Sequence, residues 1–149
     1  MSVFLGLLAS VIGWFGINFI GKPILKAEER RIEILRLGER YSSFGMGTDD
    51  DRAMRAIKEI NDALALVKPL YRSSLIIRIY CRIRGYNFPL AEGILNGISH
   101  MIGRSNNDND RLNQIDALYL ALNATEHLPK KRVHEINEII REAKQIRAA

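Results

Sequence analysis

Residues 2–31 read SVFLGLLASVIGWFGINFIGKPILKAEERR, and the change of character at Gly21–Lys22 decides the fold. Residues 2–21 carry no ionisable side chain, whereas all 22 basic and 17 acidic side chains lie from position 22 onward. As a helix rising about 1.5 Å per residue, the uncharged run spans roughly 30 Å, the hydrocarbon thickness of a bilayer. A cleaved signal peptide is the competing reading. It needs a positively charged leader and a small-x-small cleavage site, and the opening Met-Ser-Val-Phe supplies no charged side chain. The expectation is therefore an uncleaved transmembrane anchor over residues 1–21.

The flanking charges predict its orientation. Lys22, Lys26, Arg30 and Arg31 follow the apolar run directly, and its N-terminal flank has neither Lys nor Arg. By the positive-inside rule this puts the N-terminus outside and the C-terminus in the cytoplasm, and Glu28 and Glu29 weigh little against it. The single cysteine, Cys81, cannot close an internal disulfide, in keeping with a reducing compartment.

Within the anchor, Gly6, Ala9, Ser10, Gly13 and Gly16 fall on about one third of the helix circumference. Such a stripe lets two membrane helices approach closely, so self-association through it, giving a homo-oligomer, is the packing expectation. Glycine is also simply frequent in membrane helices, which is the plainer explanation.

With 149 residues in all, the chain has room for one modest domain beyond the anchor. Three segments are expected: the anchor (1–21), a juxtamembrane helix and loop (22–47), and a cytoplasmic helical domain (48–149). Pro23 breaks the pattern at the membrane exit and suits the first turn of a new helix, Ile24 to Tyr41. YSSFGMGT (41–48) reads as a loop, with Thr48 or Asp49 capping a helix over 49–68 and Asp50 and Asp51 favouring its dipole. Ala53, Ile57, Ile60, Leu64 and Val67 give that helix one apolar face, and Pro69 is expected to end or kink it.

Further along, Pro89 can open a helix carrying Leu90, Ile94, Ile98 and Ile102. After the polar stretch RSNNDND (104–110), Leu112, Ile115, Leu118 and Leu122 form another apolar face. Val133, Ile136, Ile140, Ala143 and Ile146 mark a last helix after Pro129. LIIRIYCRIRG (75–85) fits two templates. Its alternation of aliphatic and basic residues suits a strand, while Ile76, Ile79, Tyr80 and Ile83 form one helical face with Arg78 and Arg82 on another. Helix is preferred, since no partner strand exists elsewhere in the sequence. The fold class expected is all-α: one transmembrane helix followed by a cytoplasmic bundle of about five helices.

Charge comes in blocks. Residues 22–48 hold six basic and four acidic groups, residues 68–84 five basic and none acidic, and residues 129–149 six basic and three acidic. Beside an anionic leaflet, Lys22, Lys26, Arg30, Arg31, Arg78 and Arg82 are candidate contacts to lipid headgroups. A solvated helix face laced with i,i+4 pairs explains much of the same pattern. Nucleic acid is not an expected partner, because interleaved aromatics and a reading module are both missing.

No catalytic or cofactor-binding residue is assigned. His134–Glu135 lacks the second histidine of a zinc-protease motif, and His100, His127 and Cys81 supply no ligand spacing, so no metal is expected. Asn106, Asp108 and Asp110 alternate like a calcium loop, but Arg111 stands where the turn glycine belongs and Ala117 where the bidentate glutamate belongs. Gly45-Met46-Gly47 follows no strand and is a poor phosphate loop. Gly93 and Gly97, four apart, suggest close helix packing.

FIGKPIL (19–25) and RGYNFPLAEGILNGIS (84–99) resemble a pattern in uncharacterised bacterial proteins with one N-terminal anchor and a small helical cytoplasmic domain. The resemblance implies a bacterial inner-membrane location and a turn at Arg84-Gly85-Tyr86 leading into a Leu90–Ile98 helix. It implies no activity. The functional expectation is a membrane-anchored, non-catalytic interaction or accessory protein, with lipid, a second copy and a protein of unknown identity as partners. The alternative is a small membrane-active protein of phage or toxin type, whose self-associating anchor permeabilises the bilayer.

Overall fold

The computed structural model describes residues 2–44, 48–103 and 108–148, and every regular element among them is helical. α1 (Ser2–Phe15), a π-helical turn (Gly16–Gly21) and α2 (Lys22–Tyr41) follow one another without interruption. Gly21 and Lys22 keep right-handed helical dihedrals. Pro23 therefore does not break the chain at the end of the apolar run, contrary to expectation. Its ring would strike the carbonyl four residues back, and it has no N–H to give. The wider turn relieves that conflict: the Lys22 N–H bonds to the Ile17 carbonyl, five residues back, and Pro23 sits in the first turn of α2. The result is one long apolar N-terminal helix, sufficient in length and composition to cross a membrane, running on into the bundle.

α2 is more than a juxtamembrane spacer. It buries Ala27, Ile34, Leu37, Gly38 and Tyr41 and packs against four further helices. These are α3 (Asp50–Ser73), α4 (Leu75–Arg84), α5 (Phe88–Met101) and α6 (Asp108–Ala121). A short 3-10 turn (Thr125–His127) leads to α7 (Lys130–Ala148), which lies against α6. There Arg132 donates to Asp116 at 2.7 Å and to Asn113 at 2.6 Å, beside the buried Ile136.

Pro69 does not end α3. The helix continues one turn beyond it to Ser73, bringing Leu70 and Tyr71 against the core. Ser74 then stops it with an extended backbone and caps α4 by accepting from the Ile77 N–H. Residues 75–84 are helix, not strand, and Gly85 closes the element in the left-handed conformation that glycine adopts without strain (φ 72°). The buried face of α4 is not the one expected: it presents Ile77 and Cys81 to the core, while Ile79 and Ile83 are exposed.

A similar rotation occurs in α3 and α5. α3 buries Ala53, Ile60 and Val67 as expected, with Ala56 and Ala63 in place of Ile57 and Leu64, which are partly covered; α5 buries Ile98 and, at its end, Ile102 as expected, with Phe88, Ala91 and Leu95 in place of the partly covered Leu90 and Ile94. Alanines at the contact let helix axes approach closely, and the larger neighbours then flank the seam. α6 buries Leu118, Ala121 and Leu122, but Leu112 is exposed.

Gly38 is the tightest point. A Cβ built there would stand 2.4 Å from Leu118 Cδ2, a side chain only 1% exposed, so α6 rests directly on the α2 backbone. Of the glycines expected to pack, a Cβ at Gly97 would stand 3.3 Å from the Gln114 amide nitrogen, whereas one at Gly93 would meet open space. Gly38→Val should therefore lower stability by about 1–3 kcal/mol through overpacking. Gly93→Ala should raise it by about 0.5–1 kcal/mol, by removing glycine's entropic cost in a helix. Thermal unfolding in detergent micelles, followed by circular dichroism, measures both; equal effects would contradict the packing described.

Candidate membrane interface

Along the apolar helix the large side chains point outward with nothing over them. Leu7, Val11, Ile12, Trp14, Phe15, Ile17, Phe19 and Ile20 are each at least half exposed. Ser10 and Asn18, two polar side chains near them, each return a hydrogen bond to the helix backbone. Ser10 Oγ donates to the Gly6 carbonyl at 2.9 Å and Asn18 Nδ2 to the Trp14 carbonyl at 2.8 Å. Hydrocarbon offers polar groups no partner, so donors turned back onto the helix backbone suit such a medium. Trp14, Phe15 and Phe19 form an aromatic cluster with ring centroids 5.2–6.3 Å apart. The stripe of Gly6, Ala9, Ser10, Gly13 and Gly16 stays open, since nothing approaches within 4 Å of a Cβ at Gly6, Gly13 or Gly16.

Beyond the exit, the six basic residues nominated from the sequence divide into two kinds. Arg31 is taken up by the bundle: its Nε donates to the Leu122 carbonyl at 2.9 Å, its guanidinium lies over the Tyr86 ring at 4.9 Å, and Glu28 is 3.6 Å away. It holds the end of α6 to α2 and is not available as a lipid contact. Arg30 is paired with Glu33 one turn along. Lys22, Lys26, Arg78 and Arg82 are exposed, and none has an ion-pair partner among the described residues.

Glu28 organises the joint between α2 and α4. Its Oε1 accepts from Tyr80 Oη at 2.5 Å and from Tyr86 Oη at 2.9 Å. The guanidinium of Arg84 lies 5.7 Å from the Tyr86 ring, with the Arg31 guanidinium also over that ring. The Arg84-Gly85-Tyr86-Asn87 turn is locked from the α6 side as well. Asn123 Nδ2 donates to the Arg84 carbonyl at 2.9 Å, and the Asn87 N–H donates to the Ala121 carbonyl at 2.7 Å. Asn87 then caps α5 by accepting from Leu90 N–H, with Pro89 in the first turn. RGYNFP is thus a structural corner, and a sequence scan for chemistry passes over it because its tyrosine, Tyr86, bonds a glutamate 58 residues earlier.

Burial and donation to Glu28 push the Tyr80 hydroxyl up from near 10 to about 12. Burial, with the nearby Glu28 charge, pushes the Cys81 thiol up to about 11. Tyr119 rises to about 12 chiefly through donation to Glu39, then burial. Among the described residues no cluster of three or more His, Cys, Asp or Glu side chains could hold a metal ion. Gly45–Gly47 and the first residues of the polar stretch (104–107) lie outside the described residues, as do the side chains of 108–111 and His127. No known protein family, curated protein or solved structure matches the chain.

The Tyr80 hydroxyl holds its proton more tightly in the folded chain than in the unfolded one. Its stabilisation is therefore complete below pH 10 and is lost as pH climbs towards 12. Tyr80→Phe should be less stable than the parent by about 1.5 kcal/mol at neutral pH, with the gap closing across that alkaline window. Chemical denaturation at stepped pH measures it, and a gap unchanged through the window would contradict the Glu28 bond. Cys81, buried and poorly ionised, should react with maleimide only on unfolding; rapid labelling of the native protein would show α4 packed otherwise.

Proposed function

We propose that this chain is a single-pass membrane protein whose helical bundle acts at the cytoplasmic face as a non-catalytic interaction or accessory module. The observation that carries the reading is the uncovered apolar length of the N-terminal helix, along which Ser10 and Asn18 each donate to their own backbone. An exposed apolar surface of that extent on a folded chain calls for a covering medium, and its helical length matches a bilayer. The bundle begins at once where the charges begin, so the anchor delivers a rigid domain and not a tethered one.

The finer features belong to the same proposal. Lys22, Lys26, Arg30 and Arg31 at the exit favour a cytoplasmic C-terminus. The resemblance of residues 19–25 and 84–99 to anchored bacterial proteins favours the bacterial inner membrane. The open stripe from Gly6 to Gly16 is suited to a second copy of the anchor. A pore-forming, membrane-active role has less support, because Asn18 is the one strongly polar side chain of the run, lies near its charged end and donates to its own backbone.

Affinity capture from membranes, comparing the full chain with a chain whose residues 2–21 are replaced by a soluble leader, tests the module reading. A partner retained by the full chain and lost without the anchor is expected. Rapid dye leakage on induced expression would instead support membrane activity and overturn the proposal. A reporter fused after Ala149 should be active only in the cytoplasm, and activity outside would reverse the orientation. Gly13→Leu should weaken anchor self-association in a membrane dimerisation assay, and an unchanged signal would remove the second copy.

A further inference from the structure

We propose that the outward face of α4 lies in the headgroup layer of an anionic bilayer and holds the bundle against the membrane from which α2 emerges. This rests on the reading that the N-terminal helix crosses a bilayer. α4 spends only Ile77 and Cys81 fully on the core and turns Leu75, Ile79 and Ile83 outward, at 63%, 51% and 77% exposed. These three aliphatics recur every four residues along one side, and Arg78 and Arg82, a turn apart, run beside them. Residues 68–84 carry five basic groups and no acidic one. A solvent-facing helix would show acids among its bases and few large aliphatics. Aliphatics interleaved with arginines suit the boundary between acyl chains and anionic headgroups, where the arginine stems lie along the apolar layer and their heads reach phosphate.

Position singles out lipid as the occupant. Leu70, Ser73, Ser74 and Ile77 share one cleft with Asn18, Lys22, Pro23 and Lys26, so the α3–α4 corner sits against the exit turn itself. One turn on, Tyr80 is bonded to Glu28. Leu75 and Ile79 therefore stand beside the Lys22–Glu28 stretch, which ends about 10.5 Å along the helix axis from Gly21, the last residue of the uncharged run. The headgroup layer on each side of the hydrocarbon is about 5–8 Å deep, so the first turn of α4 falls at its level and Ile79 at its outer edge. Leu25 on α2, 63% exposed, adds an aliphatic group at the same height.

The test uses the full chain reconstituted into vesicles of phosphatidylcholine with or without phosphatidylglycerol. A bimane fluorophore is placed on Ile79→Cys, and on Lys58→Cys as an exposed control on α3, with native Cys81 shielded in the core. Nitroxide lipids labelled near the headgroup should quench the bimane at position 79 at least twofold more than at position 58 in anionic vesicles. Arg78→Glu combined with Arg82→Glu, both at exposed positions, should abolish the difference while helicity is unchanged. Equal quenching at the two sites overturns the inference, and so does a shielded label at 79 that lipid nitroxides do not reach, the signature of a protein on this face. Trp14, the only tryptophan, reports the anchor separately through mid-chain brominated lipids. Trp14 quenched with no excess at position 79 defeats the α4 contact alone, and Trp14 unquenched defeats both readings.

Discussion

The structure depends on a helix that does not stop at Pro23. A proline there removes a hydrogen-bond donor and crowds the carbonyl behind it, and the ordinary outcome is a kink or a new start. Here the six-residue π-helical turn shifts the bond from Lys22 to Ile17 and opens room for the ring, so α1 runs into α2 along one continuous backbone. Because α2 is also the helix on which α3, α4, α5 and α6 pack, the direction of the apolar segment and that of the bundle are a single geometric quantity.

The side of the bundle nearest the exit is then held by chemistry more directional than aliphatic contact. Glu28 accepts from two tyrosine hydroxyls, Arg31 donates to the end of α6, and the Gly85 corner is bonded across to Asn123 and Ala121. Hydrogen bonds to a charged acceptor are stronger than neutral ones and lose most when one partner is removed. α2, α4 and α6 meet at this joint, so the position of α4 over the exit follows from it. By contrast α7 leans on α6 through Arg132 and Ile136, and its loss would leave the α2 seam intact.

What was legible in the sequence followed from large differences in transfer free energy. The uncharged run of 2–21 and the helical periodicities of α3, α5 and α6 stand out because burying a leucine and burying a lysine differ by several kcal/mol. Helix over strand at 75–84 was legible from the lack of a partner strand. The errors came where small energies decide. Reading Ile57, Leu64 and Ile79 as core assumes that the largest apolar residue sits deepest. In fact Ala56, Ala63 and Ala91 occupy the seams, because helix axes gain more contact by approaching closely. Pro23 suggests a break and Pro69 an end or a kink, whereas the helix runs on through both. Arg31 looked like its neighbours Lys26 and Arg30, and only the fold brings Tyr86 and the Leu122 carbonyl to it.

Continuity from the apolar helix into the bundle is best tested by a distance across Pro23. Spin labels on Ile12→Cys and Arg36→Cys, both exposed, are measured by pulsed dipolar spectroscopy in lipid nanodiscs. Twenty-four residues of unbroken helix place the labels about 36 Å apart, and a single narrow distribution near that value is expected. A broad distribution, or one centred well below it, would mean that the chain hinges at Pro23 and that the anchor and the bundle do not share an axis.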